Sequence, residues 1–195
     1  MNKLLFFTAV ILFGVSCKNK QQHANAPVVN NVPQDAVSNF FPVTSFIKGQ
    51  IIEIKKGGIS PLKITTVGNH KDSVWLKMED LDKELAPFLQ PVIDTQNLSN
   101  LFIEKKFLDQ SIDAFTFTYD PIRTLPDSIK LQHWDVYVKP EDGLVKRIYL
   151  VKKINDIVQQ QLTWLTDDSA KILTLKNGAD GNTNIAEELI IKWGF

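Results

Sequence analysis

The sequence predicts an α+β fold, with two early helices packed on a curved, mainly antiparallel β-meander sheet. Two observations carry this. Apolar residues recur at helical spacing between positions 43 and 54, and from position 115 onward they alternate with polar residues in run after run. Short turns rich in Pro, Asp and Gly separate those runs. They are too short for the crossovers that parallel strands need, so neighbours in sequence become antiparallel neighbours in space. Helices first and strands afterwards is the order of an α+β domain.

The first helix is expected over 42–56. Pro42 suits a first helical turn, where a missing N–H costs nothing. Val43, Phe46, Ile47, Ile51 and Ile54 share one face. Lys55-Lys56 then places cations at the negative end of the helix dipole, and Gly57-Gly58 supplies the stop. A hairpin follows: Leu62, Ile64 and Thr66 alternate with Lys63, Thr65 and Val67, Gly68-Asn69 is turn chemistry, and Val74-Trp75-Leu76 returns. Glu79, Asp80 and Asp82 enrich a helix start with acid, and Leu81, Leu85, Phe88 and Leu89 form an apolar face. A second helix is expected over 79–90, kinked at Pro87. Residues 97–112 fit both a helix and a strand.

The β pattern then takes over. Phe115, Phe117 and Tyr119 alternate with threonines, and Trp134, Val136 and Val138 with Asp135 and Tyr137. Pro140-Glu141-Asp142-Gly143 is a turn in which Pro presets φ and Gly accepts positive φ. Strands are expected at 144–152, 158–164, 170–176 and 189–193, with a glycine-rich loop over 177–184.

Composition narrows the function. The chain has 195 residues and carries 22 basic and 22 acidic side chains. Such a balance lacks the basic excess of a nucleic-acid binder, so no nucleic acid is expected as partner. The single cysteine excludes an intrachain disulfide and a multi-cysteine zinc site. That cysteine, Cys17, follows an apolar run from Leu4 to Val15, itself preceded by Lys3. The run is too short to span a bilayer, which takes about 20 helical residues. A charged start, a short apolar middle and a small residue before the cut describe a secretory signal peptide over 1–16.

Val15-Ser16-Cys17 resembles the lipobox of bacterial lipoproteins, with Gly14 standing where Leu is usual. The resemblance implies cleavage before Cys17, acylation of its thiol with chains such as palmitate, and anchoring of the mature protein in a membrane. Two or three acyl chains hold where one does not. Lys18 stands where many inner-membrane lipoproteins carry Asp, and no acidic run follows. The resemblance therefore points to the outer membrane, on its periplasmic face. Removing residues 1–16 takes away only Lys3, leaving 21 basic against 22 acidic side chains. Residues 17–36 hold the acylated Cys and a stretch rich in Asn, Gln and Pro with no hydrophobic period. They read as a disordered tether that would reach roughly a few tens of ångströms. Residues 37–195 form the single α+β domain.

No catalytic motif is present. Nucleophilic hydrolysis needs a Ser or Cys with a positioned His base, and no G-x-S-x-G occurs. His70 and His133 read as surface residues, His133 with Asp135 or Asp127 as neighbours. Asp120 and Asp127 read first as turn formers beside Pro residues. No H-E-x-x-H or paired-histidine motif occurs. The loop 177–184 has a partial calcium-loop spacing, but Lys176 and Gly178 stand where ligands are required. No metal and no cofactor is expected. Trp75, Trp134, Tyr137 and Trp164 are the speculative ligand-binding residues, as aromatics on a sheet; Trp193 belongs to the same group.

Three functions remain. The first is a non-catalytic lipid-anchored envelope protein, binding an unknown envelope protein or ligand. The second is a carrier of an apolar ligand, a lipid or an acylated protein, which requires an open apolar sheet face. The third is a carboxylate-dependent hydrolase, which requires two facing acids, one with a raised pKa.

Overall fold

Nine strands join into one antiparallel sheet, in a computed structural model that describes residues 39–178 and 181–195. The chain's contacts group Val37–Phe195 as one unit. Among the described residues no helix is long and apolar enough to cross a membrane. The expected signal peptide, Cys17 and the tether lie outside the described residues.

α1 (Val43–Gly57) forms where the apolar spacing put it. Val43, Ile47 and Ile51 are buried on its inner side. Gly58 ends it with φ of 68°, and its N–H donates to the Lys55 carbonyl at 3.3 Å. β1 (Leu62–Val67) and β2 (His70–Trp75) make the expected hairpin, with Gly68 at positive φ in the turn.

The second helix departs from expectation. Instead of one kinked helix over 79–90, the chain makes a 3₁₀ turn at Met78–Asp80, one α-turn, α2 (Leu81–Leu85), and a second 3₁₀ turn at Ala86–Leu89. Pro87 has no N–H to give, and its ring crowds the preceding turn, so α-geometry stops before it. The apolar face still does its work: Leu81, Leu85 and Phe88 are buried.

The ambiguous stretch 97–112 resolves into turns and then β3 (Phe102–Asp109). β4 (Ala114–Pro121), β5 (Leu131–Val138), β6 (Val145–Lys153), β7 (Val158–Leu165), β8 (Ser169–Asn177) and β9 (Thr183–Lys192) follow. β9 begins well before the expected 189. β3 to β9 lie side by side in chain order, so a meander accounts for seven strands. The N-terminal hairpin does not extend it from β3 but pairs β1 with β9, giving the order β2-β1-β9-β8-β7-β6-β5-β4-β3.

The two sheet faces are chemically separate. On the inner side Tyr119, Trp134, Leu150, Leu162, Ile172 and Leu189 run across β4 to β9 in register. Against them pack α1 and the 78–89 segment. Phe40 meets Tyr119 and Trp134 edge-on, Phe88 meets Trp164 at 5.5 Å, and Tyr119 stacks on Trp134 at 4.5 Å. Backbone bonds fasten these pieces. The Phe41 N–H donates to the Tyr119 hydroxyl at 3.1 Å, and buried Thr44 accepts from the Ile93 N–H at 2.8 Å.

Among the described residues one charged side chain is buried on the inner side. Lys152 follows Leu150 by two residues and is 5% exposed. Its ammonium donates to the carbonyls of Pro87 and Gln90, which lie at the end of the second 3₁₀ turn. A cation there satisfies carbonyls that the turn leaves without partners.

Candidate functional site

Strand alternation puts the opposite side chains on the outer face. One residue along from the inner row, Lys105, Thr118, Asp135, Tyr149, Thr163, Lys171 and Ile190 align across β3 to β9. Beside this row lie Asp120 and His133 on one side and Tyr137, Arg147, Leu165 and Ser169 on the other.

A polar network is built there around His133. Its Nδ1 lies 2.9 Å from Asp120 Oδ1 and its Nε2 lies 3.1 Å from Asp135 Oδ1. Both ring nitrogens can donate only in the imidazolium form. The hydrogen bond to Asp135 therefore raises the His133 pKa above its ordinary value, against burial, and Asp120 adds to the rise. For Asp135 burial is the largest influence and pushes the pKa up. The bonds from His133 and from the Thr118 hydroxyl, at 2.7 Å, outweigh it, so the carboxyl is held below its usual range. The Tyr137 hydroxyl donates to the second Asp135 oxygen at 3.1 Å. Asp120 is held low first by Lys105, whose ammonium lies at 2.9 Å.

The network continues through Tyr137. The Arg147 guanidinium lies over the Tyr137 ring, 3.8 Å from its centre. Burial and the Asp135 charge raise the Tyr137 hydroxyl pKa, and Arg147 works against them. Asp120, His133, Asp135, Tyr137 and Arg147 thus form one connected chain over β4, β5 and β6.

This arrangement fixes what the residues can do. With both nitrogens of His133 committed to carboxylates, the ring has no free position for a substrate proton or a metal. Among the described residues no group of three or more His, Cys, Asp or Glu is placed to hold a metal ion. Asp94, Asp109, Asp120, Asp135 and Asp156 are each held below the usual carboxylate range by hydrogen bonds or neighbouring cations. The facing acids expected of a hydrolase exist as Asp120 and Asp135, but an imidazolium stands between them and neither is kept protonated.

The aromatic candidates separate sharply. Trp134 and Trp164 are 0% exposed and belong to the core, which corrects the expectation that they touch a ligand. Their even-numbered positions face α1 and the 78–89 segment. Trp75 is 61% exposed at the end of edge strand β2, in contact with the Phe195 ring at 5.7 Å. Tyr137 is half-buried on the outer face and is the one aromatic candidate inside the polar network. Trp193 lies against Trp164, with ring centres 5.0 Å apart and planes tilted by 43°. His70 is exposed at the start of β2.

Two expectations about acids and histidine change. His133 is no free surface residue, because the alternation that sends Trp134 inward sends it and Asp135 outward together. Asp120 is no turn former, because β4 runs on to Pro121 and brings the Asp120 carboxylate within 2.9 Å of His133. Asp127 is not its neighbour; it lines an open cleft of about 590 Å³ between the 121–130 loop and the β6–β7 turn, with Arg123, Lys130 and Lys153. Arg147, Lys171 and Thr118 were absent from the expectations. Nothing local marks them, since their place depends on pairing across strands.

Comparison of the chain with protein-family models, with curated proteins and with solved structures returns no match.

Proposed function

We propose that this chain is a lipid-anchored protein of the cell envelope, held through acylated Cys17 on the periplasmic face of the outer membrane. Its domain is a non-catalytic binding or accessory module whose outer sheet face meets another envelope component. The supporting observation is the occupation of the inner face. Val43, Ile47, Ile51, Leu81, Leu85 and Phe88 fill the side of the sheet that a carrier of apolar ligands would keep open. In this reading the early helices plug a curved meander, and recognition is left to the polar outer face. The state of Asp120, His133 and Asp135 supports binding over hydrolysis, since both carboxyls are held low and neither stands ready to protonate a leaving group.

Intact mass of the protein from its native membrane tests the anchor. The expected mass begins at Cys17 and includes acyl chains, and Cys17→Ala moves the protein out of the membrane fraction. An unmodified mass beginning at another residue, or a Cys17→Ala protein that stays with the membrane, overturns the anchor. Mass spectrometry of what co-purifies in mild detergent then identifies the bound component.

A further inference from the structure

The outer-face network ends at a cationic pocket. Arg147 of β6 and Lys171 of β8 flank β7, and Thr163, Leu165, Ser169 and Ile190 complete a cavity of about 400 Å³. No Asp or Glu is among these six lining residues.

Arg147 is positioned as a binding group. The Tyr137 ring supports its guanidinium plane, and Asp135 fixes the Tyr137 hydroxyl in turn. Its Nε is shielded from solvent and has no hydrogen-bond partner. Among the described residues no carboxylate lies within 4.0 Å of it. A shielded donor without an acceptor is costly, and a guanidinium fork satisfies it best with a two-oxygen acceptor. Lys171 is only loosely matched, with Glu188 at 3.7 Å. The Ser169 hydroxyl already donates to Asp168 at 2.6 Å, which leaves Thr163 as the hydroxyl facing the cavity.

We infer that this pocket binds an oxyanion, a phosphate or carboxylate group, held by the Arg147 fork, the Lys171 ammonium and the Thr163 hydroxyl. Leu165 and Ile190 receive the carbon skeleton that bears the group. The inference deepens the reading of the outer face as a recognition surface. It gives the ligand a charge, a size and an apolar side.

The test is calorimetric titration of the full chain in detergent at neutral pH with three probes: inorganic phosphate, acetate, and dihexanoyl phosphatidic acid below its micellar concentration. Saturable binding of at least one is expected. Arg147→Gln weakens it by about tenfold or more, as loss of charge-assisted bonds does. Arg147→Lys falls between, because it keeps the charge without the fork. Lys171→Gln weakens binding less than Arg147→Gln, and Lys48→Gln, which removes an exposed charge on α1, leaves it unchanged. Preference for the short-chain lipid assigns a headgroup as the source. Preference for phosphate or acetate assigns a free anion. Should Arg147→Gln lower the thermal midpoint, Lys171→Gln and Thr163→Val carry the test. No saturable binding of any probe, or binding that these substitutions leave intact, overturns the pocket. The titration does not depend on Cys17, and a negative result leaves the anchor and a protein partner for the outer face untouched.

Discussion

The two faces of the sheet differ by a single residue step along every strand, yet they carry opposite chemistry. Inward, Trp134, Leu150 and Leu162 stack into an aromatic and aliphatic core. Outward, their immediate neighbours Asp135, Tyr149 and Thr163 stand in a polar row. Because side chains alternate with a period of two, one register slip would exchange the faces. The inner face therefore specifies the fold, and the outer face is free to hold ion pairs that contribute little to it. Substitutions on the two faces should differ in size and in kind.

The largest effect belongs to the inner face. Trp134 is fully buried and packs against Phe40, Phe102 and Tyr119. Trp134→Ala should destabilise the domain by about 3–5 kcal/mol, the range for deleting a large buried aromatic. Urea unfolding followed by fluorescence measures it. A cost below about 1 kcal/mol would remove Trp134 from the centre of the core and break the contrast between the faces.

Lys152 sharpens the comparison, because it is a charged group buried on the apolar side. Burial pushes its pKa down from 10.5 to about 8. Its two carbonyl acceptors, on Pro87 and Gln90, hold the 78–89 segment to β6. Lys152→Met should cost about 1–3 kcal/mol, since both carbonyls lose their donor. A gain in stability would mean that desolvation of the ammonium outweighs its bonds. The pH sign is fixed by the lowered pKa. Between about 8 and 10.5 the unfolded chain binds more protons, so this group's contribution favours the fold increasingly as pH rises across that interval.

The sequence made some of this legible and hid the rest for physical reasons. α1 announced itself by period, by Lys55-Lys56 and by the double glycine, all local signals. The strands from β4 to β8 were legible from alternation alone. β3 was not, because Glu104-Lys105-Lys106 interrupts alternation on an edge strand that has only one neighbour. β9 began early because Thr183 and Asn184 are polar residues held in place by pairing with β8 rather than by burial. At the candidate site, His133, Asp135 and Tyr137 are two residues apart and share a face, which the sequence does state. Their partners Asp120 and Arg147 depend on register. That register is set by irregularities between Leu131 and His133 and between Tyr137 and Val138, which no local pattern marks.

The smallest effect, and the one that separates the faces in kind, is the pH dependence of the outer network. His133 has its pKa raised above 6.5, so its contribution is complete below 6.5 and is lost as pH rises through the folded value. Asp120 and Asp135 have theirs lowered below 3.8, so their contributions are complete above 3.8 and are lost as pH falls through the folded values. The network is therefore at full strength between about 4 and 6.5. Above that, and below the range where Lys152 titrates, the chain should lose stability as pH rises, and His133→Asn should flatten this slope. Asp135→Asn should move the His133 pKa, read by NMR titration of its ring protons, back toward 6.5, because it removes the largest raising influence. A His133 pKa unmoved by Asp135→Asn would mean that the imidazolium is not held between the two carboxylates. The outer face would then be a solvated surface, and Arg147 would lose the fixed Tyr137 platform on which the anion pocket depends.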